Sequence, residues 1–458
     1  MGTFVVVTRG TAVATAGVYI SAVSYALLLY SFLDLGTGPN LVREAADGDH
    51  RTRITHYFWT RIAVTAAVVA VGAVGVVILF PSSARTAGFI SLIYVAASIN
   101  GVAAPIGQVI GDARAFRVLT LVQGLAVFMA VAGCVLLISE PSANVLVAAY
   151  SLGGAISSLA ALVWVRKHME RIPARELPKA IREQLRAVMM LAVATGAGSI
   201  YLRIDQSIVL KLRGALDAAY YGLASRIAVQ ARLVPSALQL SVSTFLAKRV
   251  RGDGVLALAD QLALARVSLG TGVGLAFGVI AVSDAAVLAI AGSSYADAIT
   301  PTIVLGASLL STSYNYVVGT SAIMGGRDRA FLVVTIAALT FNIAANVLLV
   351  PSHGILAAAL VASLTETFAA VAIAELVGVE RGAVRRRYFG AALLGTVAVA
   401  LAKLYLVEAS TLINVAGSLL ILGIGLAALA IAFRALRGLS DDPVAVEIGR
   451  IERASEGV

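Results

Sequence analysis

Charge is scarce in this sequence: Asp, Glu, Lys and Arg supply 13% of its 458 residues, against roughly a quarter in water-soluble domains. That excludes a chain whose apolar surface is hidden in a water-soluble core. Cysteine is nearly missing. Cys134 stands alone inside an apolar run, which excludes an intramolecular disulfide and any thiol or zinc cluster. Four histidines (His50, His56, His168 and His353) are scattered, with no H-E-x-x-H and no C-x-x-C, so the common metal signatures are absent and no cofactor is expected. A glycine-lysine-serine/threonine P-loop is also lacking. This disfavours an ATP-hydrolysing pump and leaves an ion or substrate gradient, or a partner, as the energy source. No nucleophile–base pair falls within the apolar runs, which argues against an enzyme. The start Met1-Gly2-Thr3-Phe4-Val5-Val6 carries neither a myristoylation serine or threonine nor a cleavable signal pattern.

What is present is apolar length. Hydrophobic residues make up 59% of the chain, in runs long enough for helical crossings of about 20 residues each. Thirteen spans are predicted: Ala12–Leu33, Ile62–Phe80, Ala87–Ile110, Leu119–Ser139, Ala143–Val165, Ala187–Leu212, Asp217–Ala247, Leu262–Ala281, Thr300–Met324, Ala330–Val350, Ile355–Gly378, Tyr388–Val407 and Thr411–Phe433. Alternate loops differ in charge. One set, including Arg43, Arg51, Arg53, Arg61, Arg114, Arg117 and the stretch Arg166–Arg186, holds 26 of the 35 lysines and arginines. The positive-inside rule makes that set cytoplasmic, with the C-terminus inside and the N-terminus outside a multi-pass plasma-membrane protein. The same distribution accounts for the net charge of +10 without nucleic acid. Gly270, Gly272 and Gly274 lie inside a span and read as close helix packing, not as a nucleotide loop.

The two halves echo one another. Arg114-Ala115-Phe116 recurs as Arg329-Ala330-Phe331, Val135-Leu136-Leu137-Ile138 before Pro141-Ser142 as Val347-Leu348-Leu349-Val350 before Pro351-Ser352, and Arg9-Gly10 with Gly17 as Arg213-Gly214 with Gly222. Each pair joins turns on one side of the membrane, so the repeats are parallel. The expected fold is an all-α polytopic membrane protein, two parallel-repeat helix bundles around a central cavity. The lobes are residues 1–165 and 187–378, joined by a basic linker at 166–186, with two additional helices at 379–434 and a tail at 435–458. Arg213-Gly214 follows a full crossing whereas Arg9-Gly10 follows eight residues. The repeat therefore predicts an upstream helix, for fourteen crossings and both termini inside.

Ionisable side chains at bilayer depth cost about 2.5 to 3.5 kcal/mol on insertion scales and mark cavities or partners. Arg203 and Asp205 lie in one predicted span, Arg226 and Arg232 in the next. At 1.5 Å per residue, Arg203 and Arg226 both fall roughly 13 to 15 Å below the external boundary, where they are expected to share one site. Two readings stand side by side. One is an Asp205 ion pair with Arg203 or Arg226 that locks neighbouring helices. The other is a cationic cavity wall of Arg203, Arg226 and Arg232, oriented by Asp205, that grips the phosphate oxygens of an anionic headgroup. Glu366 is the candidate for ion coupling or for an interhelical hydrogen bond. Asn315, Asn342 and Asn346 read as helix-to-helix glue, and Lys403, near a helix end, should snorkel.

With those residues in view, the chain resembles the polysaccharide flippases of the multidrug/oligosaccharidyl-lipid/polysaccharide exporter superfamily, the Wzx-like O-antigen and teichoic-acid translocases. The likeness is carried in order by Asp34-Leu35-Gly36, Leu41-Val42-Arg43-Glu44, Arg203-Ile204-Asp205, Arg213-Gly214, Tyr221-Gly222-Leu223-Ala224-Ser225-Arg226, Tyr295-Ala296-Asp297, Gly325-Gly326-Arg327 and Pro351-Ser352-His353-Gly354. The sequence departs from the family at the N-terminus, where the first helix is all but absent. The resemblance implies two six-helix lobes in a V with two further helices, working by alternating access. It also implies a polyprenyl-diphosphate-linked oligosaccharide as cargo, carried from the cytoplasmic to the external leaflet. The partners it suggests are that lipid-linked glycan, the bilayer, and glycosyltransferases or a polymerase. A cation-coupled multidrug exporter of the same superfamily, using Asp205 and Glu366, is the alternative. A non-transporting scaffold for glycan-assembly enzymes is a third.

Overall fold

The computed structural model describes residues 2–33, 37, 41, 50–170, 172, 173, 175–239, 258–324, 327–377, 383–408 and 411–440. Among these there is no strand, and the long apolar runs fold as helices. Nine described helices are long and apolar enough to cross a membrane; one of them, Arg329–Glu375, contains two predicted crossings. Large apolar side chains stay on the outside. Leu136 and Leu137 are 82% and 87% exposed, and Leu394, Tyr405 and Leu412 are exposed as well. Such a surface suits hydrocarbon, not water. The segments Val42-Arg43-Glu44, Asp34-Leu35-Gly36, Gly325-Gly326, Lys248-Arg249 and the tail beyond residue 440 lie outside the described residues.

Several predicted spans are corrected. The helix His50–Leu79 begins well before Ile62, inside the segment read as a loop. Ile54, Tyr57 and Phe58 recur at helical spacing and are buried with Leu41, Val102, Ile106 and Val165, so packing extends the helix through the basic stretch. Span Ala87–Ile110 is broken into Arg85–Ala96, a 3₁₀ turn Ile99–Val102, and Ala103–Val109. The Ser98 hydroxyl donates to the Val95 carbonyl, and Pro105 is confined to the first turn of the last piece. Span Ala187–Leu212 is likewise two helices, Leu177–Tyr201 and Ile204–Arg213. The first starts inside the basic linker, with Pro178 in its first turn where a missing N–H does no harm. That linker is tied to helix His50–Leu79: Thr52 donates to Glu170, the Glu170 N–H to Thr55, and Thr60 to Gln184.

The chain divides into two compact units. Residues 1–222, 288–296 and 335–358 form one, and residues 223–287, 297–334 and 359–458 the other. This grouping differs from the halves of the repeat, because Leu177–Tyr201 packs on His50–Leu79, and Ile204–Arg213 on Val13–Ser31. Within the first unit the two Arg-Gly motifs make the same kind of contact. Arg9, at the end of helix Gly2–Gly10, donates to the carbonyls of Leu288, Ala289 and Ile290, just before Gly292 at φ 88°. Its counterpart Arg213 donates to the Pro351 carbonyl, just before Gly354 at φ 66°. Both arginines bind carbonyls at a helix end, where cations are favoured. The break at Gly354 also separates the two predicted spans that meet there, although helix Asp328–Val377 runs on through Pro351.

Gly17 and Gly222, also related by the repeat, lie in a tight helix crossing. A methyl group on Gly17 would run into the carbonyl oxygen of Ala215; one on Gly222 would meet Ile20 at 2.6 Å. Gly17→Ala is therefore expected to cost about 1–3 kcal/mol through overpacking. Gly133→Ala, which meets nothing within 4 Å, should be neutral or stabilising. Thermal unfolding in detergent checks both.

In the second unit, helix Ile299–Met324 packs on Ala383–Val407, which packs on Thr411–Ser440. Gly270 and Gly274 lie against Ala428 and Leu429 of the last helix, and Gly272 against Leu310, so this glycine run serves close packing. Lys403 does not snorkel. Its side chain is fully buried, and its ammonium reaches Asp284 at 3.1 Å, Asn414 at 2.7 Å and Ser418 at 2.7 Å. An ammonium at that depth is tolerated because each of its three N–H groups has an acceptor.

Candidate functional site

Polar side chains within the apolar helices form a separate centre in each unit. In the first, the chain breaks at Leu202–Arg203. The Arg203 N–H bonds to the Ile200 carbonyl, and the residue adopts φ −139° and ψ −15°, outside the helical basin. This leaves Arg203, half-buried, as the residue preceding helix Ile204–Arg213. Asp205 stands in the first turn of that helix, where a carboxylate is favoured by the exposed N–H groups.

Asp205 is 4% exposed and accepts from the Tyr221 hydroxyl on one oxygen and from the Gln206 N–H at 2.9 Å on the other. The Gln206 amide continues the chain, donating to Ser21 and to the Ala218 carbonyl, each at 2.9 Å. Two donors thus meet on one carboxylate, and the Gln206 amide extends the network to Ser21 of a third helix. The charge-assisted bond from Tyr221 holds Asp205 and its helix against Ala215–Ala231, and the Gln206–Ser21 bond ties the same helix to Val13–Ser31. Sequence reading found Asp205 but missed Tyr221 and Gln206 as its partners. The one signal was that Tyr221 opens the run ending in Arg226.

In the second unit the carboxylate is Glu366, 2% exposed on helix Asp328–Val377. Its Oε1 lies 3.4 Å from Arg232 Nη1, and Asn315 of helix Ile299–Met324 donates to Oε2 at 3.4 Å. Beside this pair, Ser311 and Thr367 share a hydrogen bond of 2.8 Å, and Ser363 donates to the Val304 carbonyl. The structure thus joins two residues that the sequence reading had assigned separately, Arg232 to the phosphate wall and Glu366 to ion coupling. Asn315 does act between helices as expected. Asn346 instead donates to Asn342 within its own helix.

Arg226 is half-buried in the second unit and Arg203 in the first. Arg61, read as a cytoplasmic loop residue, is a buried helix residue only 3% exposed. The described residues contain no group of three His, Cys, Asp or Glu side chains able to hold a metal ion.

Residues 1–244 match the family model described as polysaccharide biosynthesis protein. No curated protein matches the chain significantly. Among solved structures it is similar to the lipid II flippase MurJ in an inward closed conformation, with a TM-score of 0.66 at 13% identity, covering 95% of this chain and 96% of that one. It is also similar to an inward-facing multidrug resistance MATE family transporter of the MOP superfamily. That match has a TM-score of 0.64 at 13% identity over 82% and 92% of the two chains. A MOP superfamily transporter from Pyrococcus furiosus follows at TM-score 0.55 and 15% identity, covering 80% and 87%. At such identities the likeness is one of fold: a polytopic helical membrane architecture.

Proposed function

We propose, for a chain that belongs to the polysaccharide biosynthesis protein family, that it is a transporter flipping a polyprenyl-diphosphate-linked oligosaccharide from the cytoplasmic to the external leaflet. It works by alternating access, with lobes at 1–165 and 187–378 and the C-terminus in the cytoplasm. The observation that carries this reading is the interruption of the predicted crossing Ala187–Leu212 at Leu202–Arg203, with an arginine at the break. Irregular backbone at membrane depth is tolerated where it lines a cavity, and broken helices commonly carry substrate sites. A guanidinium there stays protonated and binds phosphate oxygens through paired N–H groups. Arg226, half-buried in the second unit, is the other arginine proposed to bind phosphate. Arg232 contributes less, because Glu366 already neutralises it.

The same geometry disfavours a cation-coupled multidrug exporter. Its carboxylates would need to exchange a cation, whereas Asp205 is held by Tyr221 and Gln206, and Glu366 by Arg232 and Asn315. Replacing Arg203 and Arg226 by alanine should reduce appearance of the lipid-linked glycan on the outer face at least tenfold, the worth of about one charge-assisted bond. Surface labelling of the glycan in cells carrying the full chain measures this. Undiminished export would overturn the reading.

A further inference from the structure

A cation in the first unit lacks what every other buried charge described above possesses. Arg61 is 3% exposed, yet its Nε and Nη1 have no hydrogen-bond acceptor among the described residues. Among the described residues it has no ion pair either, and its guanidinium lies over the ring of Tyr30, 5.7 Å from the centroid. On another side it meets bare backbone, since a Cβ on Gly101 would come within 2.7 Å of Nη2 and 2.6 Å of the Tyr30 hydroxyl. Thr60, its neighbour in the chain, donates to Gln184 at 2.6 Å. Arginine does not escape by losing its proton. Cation–π contact offsets only part of the desolvation of a buried, unpaired charge. The arrangement is balanced only when an anion supplies oxygen acceptors.

We propose that Arg61, with Tyr30 under its guanidinium and Gly101 beside it, is an anion-receiving point that takes a phosphate group. Nε and Nη1 lie on different edges of the guanidinium, so each offers its own N–H to an oxygen acceptor, while Gly101 packs without a side chain against Nη2. The choice of phosphate rests on the diphosphate-cargo reading above, and on the chain's solvent being a bilayer, whose anionic groups are chiefly phosphates. A lipid-borne diphosphate and a free phosphate share this chemistry.

The test uses the full chain in detergent and reads its thermal-unfolding midpoint with three probes: inorganic pyrophosphate, geranylgeranyl diphosphate, and uncharged geranylgeraniol. The wild type should be stabilised by geranylgeranyl diphosphate and not by geranylgeraniol. Stabilisation by pyrophosphate as well identifies the free anion as sufficient; stabilisation by the lipid diphosphate alone identifies a headgroup held with its tail. Arg61→Gln should unfold at an equal or higher midpoint without ligand, because an uncompensated charge is gone, and should bind the diphosphate at least tenfold more weakly. Arg61→Lys keeps the charge but loses the fork, and should also bind more weakly; it serves as the test if the glutamine variant does not fold. A lower ligand-free midpoint with an undiminished diphosphate response overturns the proposal. If Arg203→Ala loses the response and Arg61→Gln keeps it, this inference falls and the cargo reading stands. If the wild type responds to neither phosphate probe, both fall.

Discussion

Lys403→Met is expected to destabilise the second unit by about 3–5 kcal/mol, the usual cost of removing one partner from a buried ion pair. The lysine side chain is fully buried, and its ammonium bonds Asp284, Asn414 and Ser418, while Asn414 also donates to Asp284 at 2.7 Å. Three helices, Leu258–Ala291, Ala383–Val407 and Thr411–Ser440, therefore meet at one charge. Methionine fills the volume but leaves the Asp284 carboxylate without its countercharge. A snorkelling lysine would behave differently, since an exposed pair is worth about 0–1 kcal/mol. The double variant Lys403→Met with Asp284→Leu should recover most of the loss, because both charges then leave the bilayer together. Unfolding in detergent across this double-mutant cycle measures the coupling. A loss below about 1 kcal/mol for the single variant would show that the network does not hold these helices.

The second large effect concerns Arg232 and Glu366. Glu366→Leu takes the countercharge from a guanidinium that is 14% exposed, and Arg232→Met takes it from a carboxylate that is 3% exposed, so each single change should again cost about 3–5 kcal/mol. Together they should cost less than either alone. This cycle also separates two roles. If the pair only holds its helices, the double variant folds and transports. If Glu366 exchanges a coupling ion, the double variant folds and does not transport. Glycan export and unfolding, measured on the same four proteins, decide between these outcomes.

Much of the architecture was legible in sequence because it depends on local composition. Apolar runs alone placed most crossings, and Pro351 through Gly354 marked the break where the two spans after Ala330 meet. The Arg-Gly repeat pointed to equivalent positions, and Arg9 and Arg213 both bind carbonyls at helix ends. The glycines at 270 and 274 were correctly read as packing surfaces. Other features were invisible. Arg61 was placed in a loop because charge density ends an apolar run, yet Ile54, Tyr57 and Phe58 bury one face of the same segment and extend the helix. Arg203 was placed mid-helix, since no proline or glycine adjoins the break that falls there.

From its residues alone, this chain is committed to a bilayer and to helices. These follow from transfer free energies and from spacings of three and four residues, which act over short stretches of chain. Which buried charges are neutralised was decided only by the tertiary structure. Arg232 finds Glu366 and Lys403 finds Asp284, whereas Arg61 finds an aromatic face. Electrostatic attraction falls with distance in space and rises as water is excluded, and neither quantity can be counted along a sequence.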